Sequence, residues 1–332
     1  MRVALLLALA GSVAAADASR SPDRGARALS VSDARALAPF RTLTGHTGTV
    51  PGLAFTPDGR TLISAGCDDT IRFWDVPSGA EKRSVPAHKG GVTALALSAD
   101  GRVLASASYD KSAKLWDANG RELHTFAGHS NTIFGLSMSP SGRLIATACT
   151  DGTIKLWDVA ARREIRTLSG HDGSASDVCF SPDARLLVSV GSDNAAKVWD
   201  AATGAGRFAL RGHSAGIVSC AIDPSGRVAA TAGSDQTAKL WDLATGRELR
   251  TLAGHSGGLL CVAFNPAGTV VATGSHDTTV KLWDARSGEE LCTLKGHTGP
   301  VRWLAFSPAS KFLASGSWDA SIRLWAPKGA DR

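Results

Sequence analysis

Beyond its first sixteen residues the chain has no apolar run approaching the ~20 residues that a membrane helix needs, so no membrane span is expected. Its six cysteines include no C-x-x-C pair, and no haem-attachment motif is present. A glycine-rich phosphate loop, a metal-ligand cluster and an insertion long enough for a lid are also missing. Neither a cofactor nor a metal is therefore expected, and these absences weigh against an enzyme. The net charge is +6, yet the basic residues do not cluster. A nucleic-acid binder needs a patch or stripe of positive charge, so nucleic acid is not an expected partner.

The N-terminus does carry a short signal of its own. Arg2, the apolar stretch Val3 to Ala10 and the small residues Ala14-Ala15-Ala16 have the order of an export signal over residues 1–16. The expected location is therefore periplasmic or secreted; the alternative is a cytoplasmic protein with an alanine-rich start. No cysteine follows the signal, which argues against a lipid anchor. Residues 17–39 have no period of 2.0 or 3.6 and are expected to form a flexible, solvated linker. Cys179 and Cys220 occupy places where other copies of the repeat have Ala or Leu, so they are expected as small buried thiols. Export leaves a disulfide open as the alternative.

From Phe40 to Trp325 one unit recurs seven times. His46, His88, His129, His171, His213, His255 and His297 each stand 28 residues before Trp74, Trp116, Trp157, Trp199, Trp241, Trp283 and Trp325. Successive copies start 42 residues apart, with one step of 41, so the spacing is fixed within copies and slack only between them. Such a unit is one supersecondary element, stacked. In the first copy four strands are predicted, Val50–Phe55, Thr61–Ala65, Thr70–Trp74 and Glu81–Val85. Turns such as Ser139-Pro140-Ser141-Gly142 join them, Pro fixing φ and Gly accepting a positive φ. Ala184 and Ser310 replace that Gly in copies four and seven, so those turns are expected to differ.

Apolar residues fall four, seven and nine places after each His, as in Ile133, Leu136 and Met138. A pure period of two cannot put the first two on one face; one extra residue can, which predicts a β-bulge early in every first strand. The basic residues Arg72, Lys114, Lys155, Lys197, Lys239, Lys281 and Arg323 stand two before each Trp. They are expected as solvated heads on apolar stems.

Each copy also holds an Asp six before the Trp and a hydroxyl ten before it. These are Asp68, Asp110, Asp151, Asp193, Asp235, Asp277 and Asp319, with Ser64, Ser106, Thr147, Ser189, Thr231, Thr273 and Ser315. Ser, His and Asp together suggest nucleophilic catalysis. Three facts weigh against it: Thr replaces Ser freely, a Trp belongs to the set, and there are seven equivalent copies where chemistry needs one.

The Gly-His loops, Trp-Asp endings and repeat length resemble the WD-repeat β-propeller family over residues 40–326. Ala87 before His88 and Ala326 after Trp325 are the departures. The resemblance implies an all-β, seven-bladed propeller of four-stranded antiparallel blades, with a hydrogen-bond chain from Trp through hydroxyl and His to Asp in each blade. Residues 327–332 are too few for a missing last strand, whereas Phe40–Thr44 resembles the fourth-strand stretches of other copies. The N-terminal strand is therefore expected to complete the last blade and close the ring.

The resemblance also implies recognition at places three and five after the His and one before the Asp. Tyr109, Phe134, His276, Arg302 and Trp318 stand there, and aromatics and Arg are what interface hot spots are made of. A monomeric, non-catalytic scaffold binding a protein or peptide on that face is expected, within a multiprotein assembly. The alternatives are an exported enzyme or a metal or small-ligand binder in the central channel, with Asp177, His276 or Cys67 as candidate groups, and a structural part of an envelope assembly.

Overall fold

Tight turns between short apolar runs dictate the local structure. In copy three the Gly142 amide donates to the Ser139 carbonyl at 2.8 Å, with Gly142 at φ 68°. This turn joins Ile133–Met138 to Leu144–Cys149; Thr153–Asp158 and Arg163–Ser169 follow, and the four strands pair antiparallel in chain order. A computed structural model of the chain describes residues 29–327, which form seven such four-stranded sheets arranged as the blades of one propeller.

Each sheet is apolar on both faces, so the core lies between blades. Trp157 of blade three packs against Ala105, Ala107, Leu115 and Phe126 of blade two. Trp199 of blade four packs in the same way on Ile154, Leu156 and Leu168 of blade three. The small alanines of the second strands let the neighbouring blade approach closely, and no central core is needed.

Blade seven is completed from the opposite end of the chain. The strand Leu37–Thr44 pairs antiparallel with Ser321–Pro327, from Leu37 opposite Pro327 to Thr44 opposite Ser321. Pro327, expected as the start of the tail, therefore belongs to the last strand. The linker expected over 17–39 is also corrected where it is described. Leu29 and Ala34 are buried against Leu291 of blade six, and Leu37 lies in the same cluster. Between them Val31–Ala34 forms a helical turn, capped by Ser30 and Asp33, each accepting the other's amide proton. The Asn265 amide donates to the Leu29 carbonyl at 3.1 Å, and Arg35 pairs with Glu289 at 2.8 Å. Segment 29–36 thus ties blade seven to blade six. Residues 1–28 and 328–332, with the export signal, the rest of the linker and the tail, lie outside the described residues.

Three further expectations need adjusting. The predicted bulge is present in blades two to seven, as between Ile133 and Gly135. In blade one the inner strand is shortened to Gly52–Phe55, because Pro51 has no amide proton to give. The turns at Ala184 and Ser310 do not differ: both residues adopt the left-handed φ of the glycines, 56° and 53°. Register wins over local preference there, at a cost of about 1 kcal/mol each. In six of the seven copies the basic residue two before the Trp is not a solvated head either. Arg72, Lys114, Lys155, Lys239 and Lys281 are paired at 2.6 to 2.9 Å with a Glu on the fourth strand, and Lys197 pairs with Asp193 at 3.3 Å.

Candidate interaction face

The Gly-His loops and the turns holding the repeat Asp lie on one face of the ring, fixed by seven identical polar chains. The Trp indole N–H donates to the Ser or Thr hydroxyl at 2.8 to 2.9 Å. That hydroxyl lies 2.7 to 2.8 Å from His Nε2. His Nδ1 lies 2.7 to 3.3 Å from the Asp carboxylate. With the hydroxyl proton directed to Nε2, the imidazole is neutral and donates from Nδ1, so every group is used once. The hydroxyls are fully buried and hold their proton between two ring systems, which is a register device with no approach for a substrate.

The sequence reading missed one member of this set. Each Asp also accepts from the backbone amide after the His, as from Thr47 at 3.0 Å and Ser214 at 2.9 Å. In six blades a hydroxyl two residues after the Asp joins in: Thr70, Ser112, Thr153, Thr237, Thr279 and Ser321. The signal was the recurrence of Ser or Thr at that place; Ala195 breaks it in blade four.

Burial disfavours the imidazolium and, despite the pull of the adjacent carboxylate, holds all seven His below their ordinary 6.5. Burial also opposes ionisation of the seven Asp, but donated hydrogen bonds and the His outweigh it, lowering Asp68, Asp151, Asp193 and Asp235. Asp110, Asp277 and Asp319 are held down to about 2. The unfolded chain takes up protons on these His below pH 6.5 while the folded chain refuses them, so stability falls as pH drops through that region. The Asp contribution is present above 3.8 and is lost as pH falls through the lowered folded values. Asp177, pushed up to about 6 by burial, acts oppositely, since its stabilising protonation fades as pH rises. Urea unfolding at pH 7.5, 6.0 and 5.0 is expected to give decreasing stability, beginning before the seven repeat Asp titrate; a flat profile would mean the imidazoles protonate in the fold.

The five residues singled out from the sequence form two aromatic pairs and a cation. Tyr109 and Phe134, from blades two and three, meet edge to face with ring centroids 5.6 Å apart. His276 and Trp318, from blades six and seven, do the same at 5.4 Å. Tyr109 is 46 % and Trp318 51 % exposed. Arg302 is half-buried and donates from Nη1 to the Leu260 carbonyl at 3.2 Å. The Tyr109 hydroxyl lies beside the Cys67 thiol of blade one, with Arg302 in electrostatic reach of both.

Of the groups considered for chemistry, Asp177 has a structural task. Asp177 is buried, and its carboxylate accepts the amides of Val178 at 2.8 Å and Cys220 at 3.1 Å, joining blades four and five. Gly135 makes room for it: a Cβ there would fall 2.4 Å from the Asp177 Cα. All six cysteines are free thiols. Burial pushes Cys67 and Cys292 up, Cys149 to about 11 and Cys261 to about 12, which favours the protonated, weakly nucleophilic form. One group with metal-ligand chemistry does assemble, contrary to the sequence reading: ligand atoms of His129, Cys149 and Asp151 lie within 4.8 Å of one another. Cys149 there donates to the Asn131 carbonyl and accepts from the Asp151 amide, as Ser108 does with Gly90 and Asp110 in blade two. Its thiol thus stands in for a hydroxyl. Inter-blade cavities of about 270 and 290 Å³ are lined by Phe73 and Leu97, and by Val31 and Phe264, away from the aromatic pairs.

A ring of seven four-stranded blades, each locked by a Trp–hydroxyl–His–Asp chain, defines a propeller of repeated units. The family described as "WD domain, G-beta repeat" matches residues 37–75, 79–117, 120–158, 162–200, 206–242, 246–284 and 288–326, and the chain belongs to it. Human WD repeat-containing protein 36 is 49% identical over 51 residues, 15% of this chain and 6% of that protein. Protein FIZZY-RELATED 2 of Arabidopsis thaliana is 48% identical over 40 residues, 12% of this chain and 8% of the relative. U3 small nucleolar RNA-associated protein 21 of Saccharomyces cerevisiae is 46% identical over 39 residues, 12% and 4% respectively. The matches therefore cover less than a tenth of each relative's length. No helix among the described residues is long and apolar enough to cross a membrane.

Proposed function

We propose that the chain is a non-catalytic scaffold whose loop-bearing face binds a protein or peptide, as one part of a larger assembly. The observation that carries this reading is the pair of exposed edge-to-face aromatic clusters, Tyr109–Phe134 and His276–Trp318, on a rigid framework. Because the rings are held in place before contact, little side-chain freedom is lost on binding. The names of relatives are compatible with such a role: a match to Dictyostelium discoideum is named anaphase-promoting complex subunit cdh1. The scaffold acts as a monomer outside the cytoplasm, residues 1–16 directing export; mass analysis of the mature N-terminus in cell fractions tests this part.

The direct test is capture of partners from the extracytoplasmic fraction by wild type and by Tyr109→Ala/Phe134→Ala/Trp318→Ala, with both proteins first shown to melt alike. A discrete protein retained by wild type and reduced at least about tenfold by the variant is expected, the loss of hot-spot aromatics costing about 2 kcal/mol or more. Equal retention would remove the assignment of this face.

A further inference from the structure

Charge at the mouth is one-sided around Tyr109. Arg302 makes one protein hydrogen bond, to the Leu260 carbonyl, out of its five N–H donors, and among the described residues it has no carboxylate partner. Its side chain reaches from blade seven to Leu260 of blade six, and its charge is felt by Cys67 of blade one and Tyr109 of blade two. Lys89 and Lys111 stand exposed on the two blade-two loops that frame Tyr109, and they too lack an ion pair among the described residues. This contrasts with the basic residues before the repeat Trp, most of which hold a Glu.

Opposing charge nearby is small or occupied. The Asp177 carboxylate already accepts two amides, the repeat Asp residues are bound to His and backbone, and Asp69 is the other acid on the blade-one turn. Asp172 is exposed on the loop of blade four.

We propose that this mouth takes an extended acidic peptide segment, with one Asp or Glu carboxylate on the Arg302 guanidinium, others facing Lys89 and Lys111, and apolar neighbours against Tyr109 and Trp318. The geometry favours internal acidic side chains over a chain terminus, because the three cations are spread over two blades and a terminal carboxylate satisfies one of them. A planar guanidinium binds a carboxylate through two parallel N–H donors, which fixes direction as well as position. This inference rests on the binding face proposed above and adds the chemistry of its partner.

The test uses the full chain and a fluorescein-labelled peptide of about ten alternating Glu and Leu residues, blocked at both ends, with the Gln/Leu peptide as control, read by fluorescence anisotropy. Expected are binding of the Glu peptide, weakening by about tenfold or more between about 50 and 500 mM NaCl, and a loss of similar size in Arg302→Gln. Arg302→Lys is expected to recover part of the loss, since charge returns without the fork. Equal binding of the Gln peptide, no binding of either peptide, binding only with a free C-terminal carboxylate, or an unchanged Arg302→Gln would each overturn the proposal. Failure of the face itself is distinguishable: partner capture lost in the aromatic variant but intact in Arg302→Gln keeps the face and removes the carboxylate.

Discussion

A chain lacking Leu29–Thr44 is expected to lose cooperative folding or to melt at least about 10 °C below the full chain, by circular dichroism. The deletion strips the fourth strand from blade seven and exposes the whole edge of Ser321–Pro327. It also removes Leu29, Leu37 and Leu43, all under 10 % exposed. Each buried Leu contributes about 1.5 to 3 kcal/mol, so three supply roughly 5 to 9 kcal/mol before strand pairing is counted. That rivals the ~5 to 15 kcal/mol by which a domain is stable. The freed edge is also a template for pairing with other chains, so aggregation should accompany the loss. A shorter deletion, Leu29–Ala36, leaves the whole strand and is expected to cost less, freeing Leu291, Asn265 and Glu289 of blade six. A melting temperature within about 2 °C of the full chain for the longer deletion would refute ring closure as a source of stability.

The second large effect is expected from His213→Ala. It removes the acceptor for the Thr231 hydroxyl and the donor to Asp235, which bridge at 2.8 Å each. A buried carboxylate and a buried hydroxyl then lose partners together, at a cost of about 3 kcal/mol or more. Asp235 keeps the amides of Ser214 and Thr237, which limits the damage. Hydrogen exchange followed by mass spectrometry should show protection lost first in 217–253, the strands of blade five. His129→Ala is expected to cost less, because its link to Asp151 is already 3.3 Å long. Equal exchange in wild type and His213→Ala would mean that the polar chain does not hold the loops.

Much of this architecture was legible in the sequence because a repeat is self-checking: any residue type recurring seven times at one place reports a demand of the fold. The His, Asp, hydroxyl and Trp were found this way, and so was the bulge, from apolar residues falling out of phase. What escaped notice occurs once. Segment 29–36 has only a Ser30-to-Asp33 cap and too few residues to show a period, and its partner Asn265 differs from the Ser, Thr or Asp of other copies without indicating why. The Lys–Glu pairs were hidden by a second register shift, such as that between Leu156 and Trp157, which moves Glu164 into reach of Lys155. At the candidate face the aromatics were found as unrepeated residues, whereas the bare charge of Lys89, Lys111 and Arg302 emerges only once every other cation is seen to have a partner or not.

The pairing of Leu37–Thr44 with Ser321–Pro327 has a consequence for how the protein is made. During synthesis the propeller's first strand leaves the ribosome long before its partner, the propeller's last, so it waits, unpaired, while six blades assemble behind it. Bringing together ends separated by nearly the whole chain is a late, entropically costly step. Until it happens each nascent molecule carries two open edges; afterwards it carries none at that seam. A product that stops before Ser321 never passes this step, and the closed ring therefore records that all seven blades were made.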